Sequence, residues 1–246
     1  MKTKGKIIRL SLLLLLTVGL IFFITAQNSV DEHILTYTVD IKTQDLQLYW
    51  KNDNGELLKN IQNLKTYVES KNLTLVFAMN GGMFNNDYSP QGLFIQNKKI
   101  HTVLDTANGN GNFYLKPNGV FYITTDDVAL VCKSTDFTNN GNIKYATQSG
   151  PMLVVDGQIH PAFKENSTHL NIRNGVGILP DNKVIFAMSK KEINFYDFAT
   201  YFQNLGCKNA LYLDGFVSRT YLPSKNWRQT DGNFGVIIGV TDKTSK

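Results

Sequence analysis

Between residues 92 and 160 the chain is a succession of short apolar pieces broken by Asn-Gly, Pro-Asn-Gly and Asp-Gly steps. Such punctuation gives the backbone cheap access to positive φ and leaves hairpins as the natural reading. The clearest is Val154-Val155-Asp156-Gly157-Gln158-Ile159, and a second turn, Pro180-Asp181-Asn182-Lys183, joins residues 176–179 to 184–188. Leu35, Tyr37, Val39 and Ile41 alternate with polar residues as in a half-buried strand. Another strand, 46–50, runs into the turn cluster Lys51-Asn52-Asp53-Asn54-Gly55, and the apolar runs 73–79, 210–213 and 236–240 read as buried strands. Helical spacing occurs twice. Leu57, Leu58, Ile61, Leu64 and Val68 predict a helix over 56–71. Phe195, Phe198, Ala199, Phe202 and Leu205 predict another, capped by Asn194 and ended by Gly206. With no linker, repeat or low-complexity stretch, residues 27–246 read as a single α+β domain, strand-rich, with mixed sheets and two main helices.

Charge is uneven along the chain. Of 25 Lys and Arg, Lys2, Lys4, Lys6 and Arg9 precede the first acid, leaving 21 bases against 20 acids in the remainder. The formal +5 is therefore no argument for a nucleic-acid partner, which needs a clustered basic surface. The basic start is followed by an uncharged apolar run over 10–26, so residues 1–26 read as a signal peptide or membrane anchor. Cleavage after the small residues Thr25 and Ala26 is favoured over a retained anchor, although Ile24 is bulky for a cut at that point. Either way the chain is expected to be exported: periplasmic, secreted, or held at the membrane through 10–26 alone.

Familiar catalytic motifs are missing. There is no Gly-x-Ser-x-Gly, Walker loop or Cys-x-x-Cys, and His33, His101, His160 and His169 lack zinc-ligand spacing. No cofactor is evident; a divalent cation is left open, without a ligand loop of recognisable spacing. Cys132 and Cys207 each read as a small buried side chain, with one bridge between them left open. The informative polar residues stand where strands stop. Asn80-Gly81-Gly82-Met83-Phe84 follows a buried strand and Gln148-Ser149-Gly150-Pro151 precedes one; Asp214-Gly215 closes another, and Arg173 sits just ahead of a fourth. Alone, the Asn80 and Gln148 stretches also read as turns and Arg173 as an exposed loop arginine or a salt-bridge partner, while Asp214 is more informative because it ends an apolar strand beside Gly. An Asn amide offers donor and acceptor, paired glycines let a ligand approach the backbone, and a guanidinium can hold a phosphate or carboxylate bidentately.

In this order, Asn80-Gly81-Gly82-Met83-Phe84, Gln148-Ser149-Gly150-Pro151, Ile172-Arg173-Asn174-Gly175-Val176-Gly177 and Leu213-Asp214-Gly215 resemble the motifs of the phosphodiester glycosidase family over about residues 73–240. The family includes the enzymes that uncover mannose 6-phosphate by removing a covering N-acetylglucosamine. This chain departs from the pattern after Asp214, where the family often continues with glycines and here Phe216-Val217 precede Ser218. The resemblance implies hydrolysis of a sugar-1-phosphodiester in envelope or extracellular glycan. Asp214, Arg173 and Asn80 would be its catalytic residues, with Gly81, Gly82, Gln148, Ser149 and Ser218 lining the substrate. Asp87, Asp105 and Asp156 are the candidates for a second carboxylate, Asp156 also reading as a hairpin turn. Two other classes fit the same residues: a non-catalytic module that binds envelope glycan through tyrosines such as Tyr88, Tyr212 and Tyr221, and a phosphodiesterase attacking at phosphorus.

Overall fold

The computed structural model describes residues 32–215 and 217–244. The expected targeting segment, 1–26, lies outside the described residues, and among those described no helix is long and apolar enough to cross a membrane. The chain divides into two units, Met1–Leu35 and Thr36–Lys246, and the second contains both described α-helices and every strand after the first.

Three sheets make up the architecture, antiparallel in each pairing described. The first is ordered β1 (Ile34–Val39), β12 (Val184–Ser189), β11 (Asn174–Ile178), β13 (Ala210–Tyr212), β9 (Met152–Val155), β10 (Gln158–Ile159). The second is β15 (Trp227–Arg228), β14 (Thr220–Leu222), β3 (Leu73–Asn80), β16 (Ile237–Lys243), β2 (Asp45–Tyr49). The third is β5 (Lys99–Thr102), β4 (Phe94–Gln96), β8 (Ile143–Ser149), β6 (Gly119–Thr124), β7 (Ala129–Lys133). Helix α1 (Ile61–Glu69) covers β3 and β16, and α2 (Phe195–Asn204) covers β9 and β10. The α+β class with two main helices is what the structure shows.

The sheets share one core. Phe186 of β12 stacks on Phe77 of β3 at 5.3 Å and meets Phe121 of β6 edge-on at 5.9 Å, joining all three sheets through three fully buried rings. Such geometry adds about 0.5–1.5 kcal/mol per pair beyond the burial itself. The hairpins form where the turn residues demand them. Asp156 and Gly157 both adopt positive φ, 51° and 84°, between β9 and β10, as a two-residue turn matched to strand twist requires. The α2 cap is reciprocal: Asn194 Oδ1 accepts the Asp197 N–H at 2.8 Å while its Nδ2 donates to the Asp197 carboxylate at 2.8 Å.

Helix α1 starts later than apolar spacing alone predicts. Leu57 forms a strand bridge with Lys51, Lys59 turns to φ 64°, and the Asn60 side chain then caps by accepting the Asn63 N–H at 2.8 Å. Only Ile61, Leu64 and Val68 of the five spaced residues lie buried on the helix face. Cys132 and Cys207 are free thiols, and burial pushes them up to about 11 and about 12, so neither is a ready nucleophile at neutral pH.

Candidate active site

Strand ends from all three sheets meet at a single junction: the end of β3 at Asn80, the end of β8 at Ser149, and the start of β11 and end of β13 around Asn174 and Asp214. Asn174 is its hub. Its Nδ2 donates to Asn80 Oδ1 at 2.7 Å and to the Asn80 carbonyl at 3.2 Å, while its Oδ1 accepts the Asp214 N–H at 2.8 Å and its carbonyl accepts the Leu213 N–H at 3.1 Å. The Asn80 amide orientation is forced, because the Arg219 N–H, which can only donate, also points at Oδ1 at 2.9 Å. Asn80 Nδ2 is thus a buried donor with no protein acceptor.

Asp214 is 7% exposed and held on both sides of its peptide. Beyond the Asn174 bond to its N–H, its carbonyl accepts from the Ser218 hydroxyl at 2.7 Å, and one residue earlier the Leu213 carbonyl accepts from Ser149 at 2.6 Å. Ser149 and Ser218 therefore brace the backbone that carries the carboxylate. Gln148 also acts on main chain. Its Oε1 accepts the N–H groups of Leu93 and Asp105, and its Nε2 donates to the Asp105 carbonyl at 2.6 Å, tying the 93 and 105 loops to β8. Gly81 is pinned by Val236 at its N–H and by the Thr147 hydroxyl at its carbonyl. Added Cβ atoms would meet Ile238 Cγ1 at 2.7 Å from Gly81 and Thr147 Oγ1 at 2.7 Å from Gly82, so neither position has room for a side chain.

Arg173 precedes Asn174 and by strand alternation projects to the opposite face. There its guanidinium lies 3.6 Å from the Phe195 ring centroid and 5.7 Å from that of Tyr212; Nε donates to the Ile193 carbonyl and Nη2 to that of His169. Arg173 is only 2% exposed, and none of the seven ion pairs among the described residues involves it. Burial lowers its proton affinity and Tyr212 opposes that, yet a guanidinium stays charged throughout the working pH range. Tyr212 is raised by burial first, pulled down by Arg173 and raised again by the nearby Asp214 charge, so it remains a neutral hydroxyl. Its oxygen sits against Gly215: a Cβ there would come within 1.7 Å of it. The run from Arg173 through Tyr212 to Gly215 and Asp214 is one continuous contact surface.

The other candidate carboxylates have partners of their own. Asp87 is exposed on a loop and bound by Ser89; Asp105 is braced by Tyr114; Asp156 lies in the hairpin turn and pairs with Lys133. Among the described residues no three His, Cys, Asp or Glu side chains gather as metal ligands.

The ordered motifs at these strand ends fall inside a match to the phosphodiester glycosidase family that runs from residue 74 to 241. The chain belongs to that family. Among curated proteins it is similar to the uncharacterized protein YigE of Escherichia coli (strain K12), 38% identical over 190 residues, covering 77% of this chain and 74% of that one. In fold it resembles the zebrafish N-acetylglucosamine-1-phosphodiester alpha-N-acetylglucosaminidase catalytic domain auto-inhibited by pro-peptide, with a TM-score of 0.53 at 14% identity over 85% of this chain and 88% of that one. A hypothetical protein from Synechocystis gives a TM-score of 0.55 at 12% identity over 85% of this chain and 59% of that one. Within this phosphodiester glycosidase domain, two residues at the junction carry no role in the sequence reading, Asn174 and Arg219, and Tyr212 enters there only as a sugar-stacking tyrosine of the glycan-binding alternative. The signal for Asn174 was available, since an Asn beside Arg173 at a strand start must face the other side of the sheet.

Proposed function

We propose that the protein is an exported glycosidase that hydrolyses a sugar-1-phosphodiester, with Asp214 as its catalytic carboxylate. The observation that carries this reading is the bracing of Asp214 on both sides of its peptide by Asn174 and Ser218, at the strand end where Asn80 and Tyr212 also meet. A carboxylate carried on a backbone fixed before substrate arrives needs less reorganisation as charge develops.

Cleavage at the anomeric carbon breaks the carbon–oxygen bond, and the phosphodiester leaves with the electron pair as an anion. Such a leaving group needs little protonation, so one carboxylate suffices where glycosidases with poorer leaving groups use two. Asp214 faces the positive charge that builds at the anomeric centre and takes the proton of the incoming water. Asn80 Nδ2, buried and without a protein acceptor, donates to a substrate oxygen. Arg173 supplies positive charge to the phosphate side from its buried position, and Gly81 and Gly82 let the backbone beside Asn80 pack directly against Ile238 and Thr147. Gln148, Ser149 and Ser218 shape it through the backbone they hold. Export through residues 1–26 places the enzyme with envelope or extracellular glycan.

The test is hydrolysis of sugar-1-phosphodiesters in oxygen-18 water. Label in the released sugar, with a loss of at least about a hundredfold in the Asp214→Asn variant at unchanged Tm, is the expected result. Label in the phosphate moves the attack to phosphorus, and wild-type rates in the variant remove Asp214 from the chemistry.

A further inference from the structure

The loop that leaves Asn80 carries ligand-type groups that the junction does not use. Residues 83–91 fold back on themselves: Phe84 bridges Pro90, the Asn85 N–H donates to the Ser89 carbonyl, and the Gln91 N–H to that of Met83, both at 2.9 Å. Phe84, Asn85, Asn86, Asp87 and Ser89 line an open cleft of about 530 Å³.

The tip is rigid. Tyr88 sits at φ 65°, a region that is costly for a bulky side chain and persists only where its surroundings over-determine it. Its N–H donates to the Asn85 carbonyl at 2.8 Å, its carbonyl accepts from Trp50 Nε1 at 2.9 Å, and its ring stacks on Phe84 at 5.8 Å with Lys59 Nζ 4.9 Å from its centroid. The loop is seated against Gly235, where a Cβ would come within 2.7 Å of Phe84 Cβ and 3.0 Å of the Tyr88 carbonyl.

Its polar groups are only partly used internally. Asp87 Oδ1 accepts the N–H and hydroxyl of Ser89 at 3.0 and 2.6 Å, and Asn85 Nδ2 donates to Ser89 Oγ at 2.9 Å. That leaves Asp87 Oδ2, Asn85 Oδ1 and the Asn86 amide outside these bonds, on residues that line the cleft. Those Ser89 bonds hold the Asp87 carboxyl below its usual range, so it is ionised at neutral pH. A fixed negative charge disfavours a phosphate here, and one carboxylate is no metal site. A carboxylate and two carboxamides instead match the vicinal hydroxyls of a neutral sugar ring.

Phe84 is four residues from Asn80, and at roughly 3.3–3.6 Å per extended residue their Cα atoms lie within about 14 Å. We infer that the Phe84-to-Ser89 cleft is a subsite for an uncharged sugar residue of the substrate, away from the bond that is cut. The substrate is then a glycan longer than a single sugar phosphate. This rests on the hydrolytic reading above, and binding to a remote part of the substrate is a known source of rate.

The probe is a printed array of neutral and phosphodiester-containing oligosaccharides, applied to the full-length protein and to an Asn86→Ala/Asp87→Asn double variant. Both positions are exposed, and the Asn at 87 keeps the acceptor for the turn. Expected are binding of a set of neutral-sugar glycans by the wild type, at least tenfold weaker binding by the variant, and at least a tenfold fall in the ratio of kcat/KM for extended over short phosphodiester substrates. Wild-type protein that binds no glycan, or a double variant that binds as well as the wild type, overturns the subsite. Array binding that depends on Asn86 and Asp87 without any hydrolysis sinks the hydrolytic reading and leaves the sugar site standing.

Discussion

Asn174 and Asn80 stand 94 positions apart in sequence and are joined amide to amide at 2.7 Å, across the gap between two sheets. Both are fully buried, and the second arm of Asn174 holds the Asp214 N–H. Asn174→Ala leaves the buried Asp214 N–H without its acceptor, at about 1–3 kcal/mol, while Asn80 Oδ1 keeps the Arg219 N–H. The expected outcome is a fall in stability of about 1–3 kcal/mol with a loss of kcat that exceeds any change in KM. Asn174→Asp keeps an acceptor for Asp214 but sets oxygen against oxygen at Asn80, so it should not recover kcat. Steady-state kinetics beside urea unfolding checks both, and wild-type kcat in the Asp variant would remove Asn174 as a positioning residue.

Arg173 lies flat on Phe195 while two of its N–H groups reach separate carbonyls. Lysine has neither the plane nor the fork, so charge alone should not rescue the site. Arg173→Lys is expected to lose at least tenfold in kcat/KM and to unfold at a lower Tm than the wild type. Activity near wild type in the Lys variant would show that only the charge matters.

The Tyr212 hydroxyl occupies the space above Gly215. Tyr212 is 2% exposed and packed edge-on to Phe195, so it cannot swing away from a new methyl group. Gly215→Ala should therefore displace the Asp214 loop and lower activity by at least tenfold, while Gly215→Ala combined with Tyr212→Phe should recover part of the loss. A double-mutant cycle on kcat/KM reads the coupling, and strict additivity would mean that the two positions do not press on each other.

His160 is buried, stacked on Phe163, with Nδ1 accepting the Ala162 N–H. Burial lowers its proton affinity below that of the unfolded chain. The folded state therefore favours the neutral ring. Its stabilising contribution is complete above the unfolded value near 6.5, and it is lost as pH falls from there through the lower folded value. His101 is lowered by burial and by Lys99 and Lys51, and adds to the same acid limb. His160→Phe keeps the stack and should flatten the fall in Tm between pH 7.5 and 5. An unchanged slope would mean that His160 does not take up a proton on unfolding in that window.

Local chemistry wrote much of the fold into the sequence. Asp156-Gly157, the turn at Pro180 and the Asn194 cap need only neighbouring residues, and each forms where its residue types require. The start of α1 was less legible, because Leu57 has helical spacing but finds a strand partner in Lys51. At the candidate site, Asp214 and Asn80 stand out for ending apolar strands. The work of Ser149, Ser218 and Gln148 was hidden, since a hydroxyl or amide in sequence gives no sign that a distant main-chain carbonyl will take it. For Asn174 the side it faces is legible from its place beside Arg173, but its partner Asn80 belongs to a different sheet, and only the packing of the sheets selects it.

The three rings that join the sheets, Phe77, Phe121 and Phe186, also set a timing. Asn80, Ser149 and Asp214 are joined through contacts spanning 64 to 139 residues of chain, so the site exists only where all three sheets are in place. Non-local contacts of this kind carry a loop-closure cost that slows folding. A partly folded chain therefore holds secondary structure but no site, and recovery of activity on refolding should mark the last step.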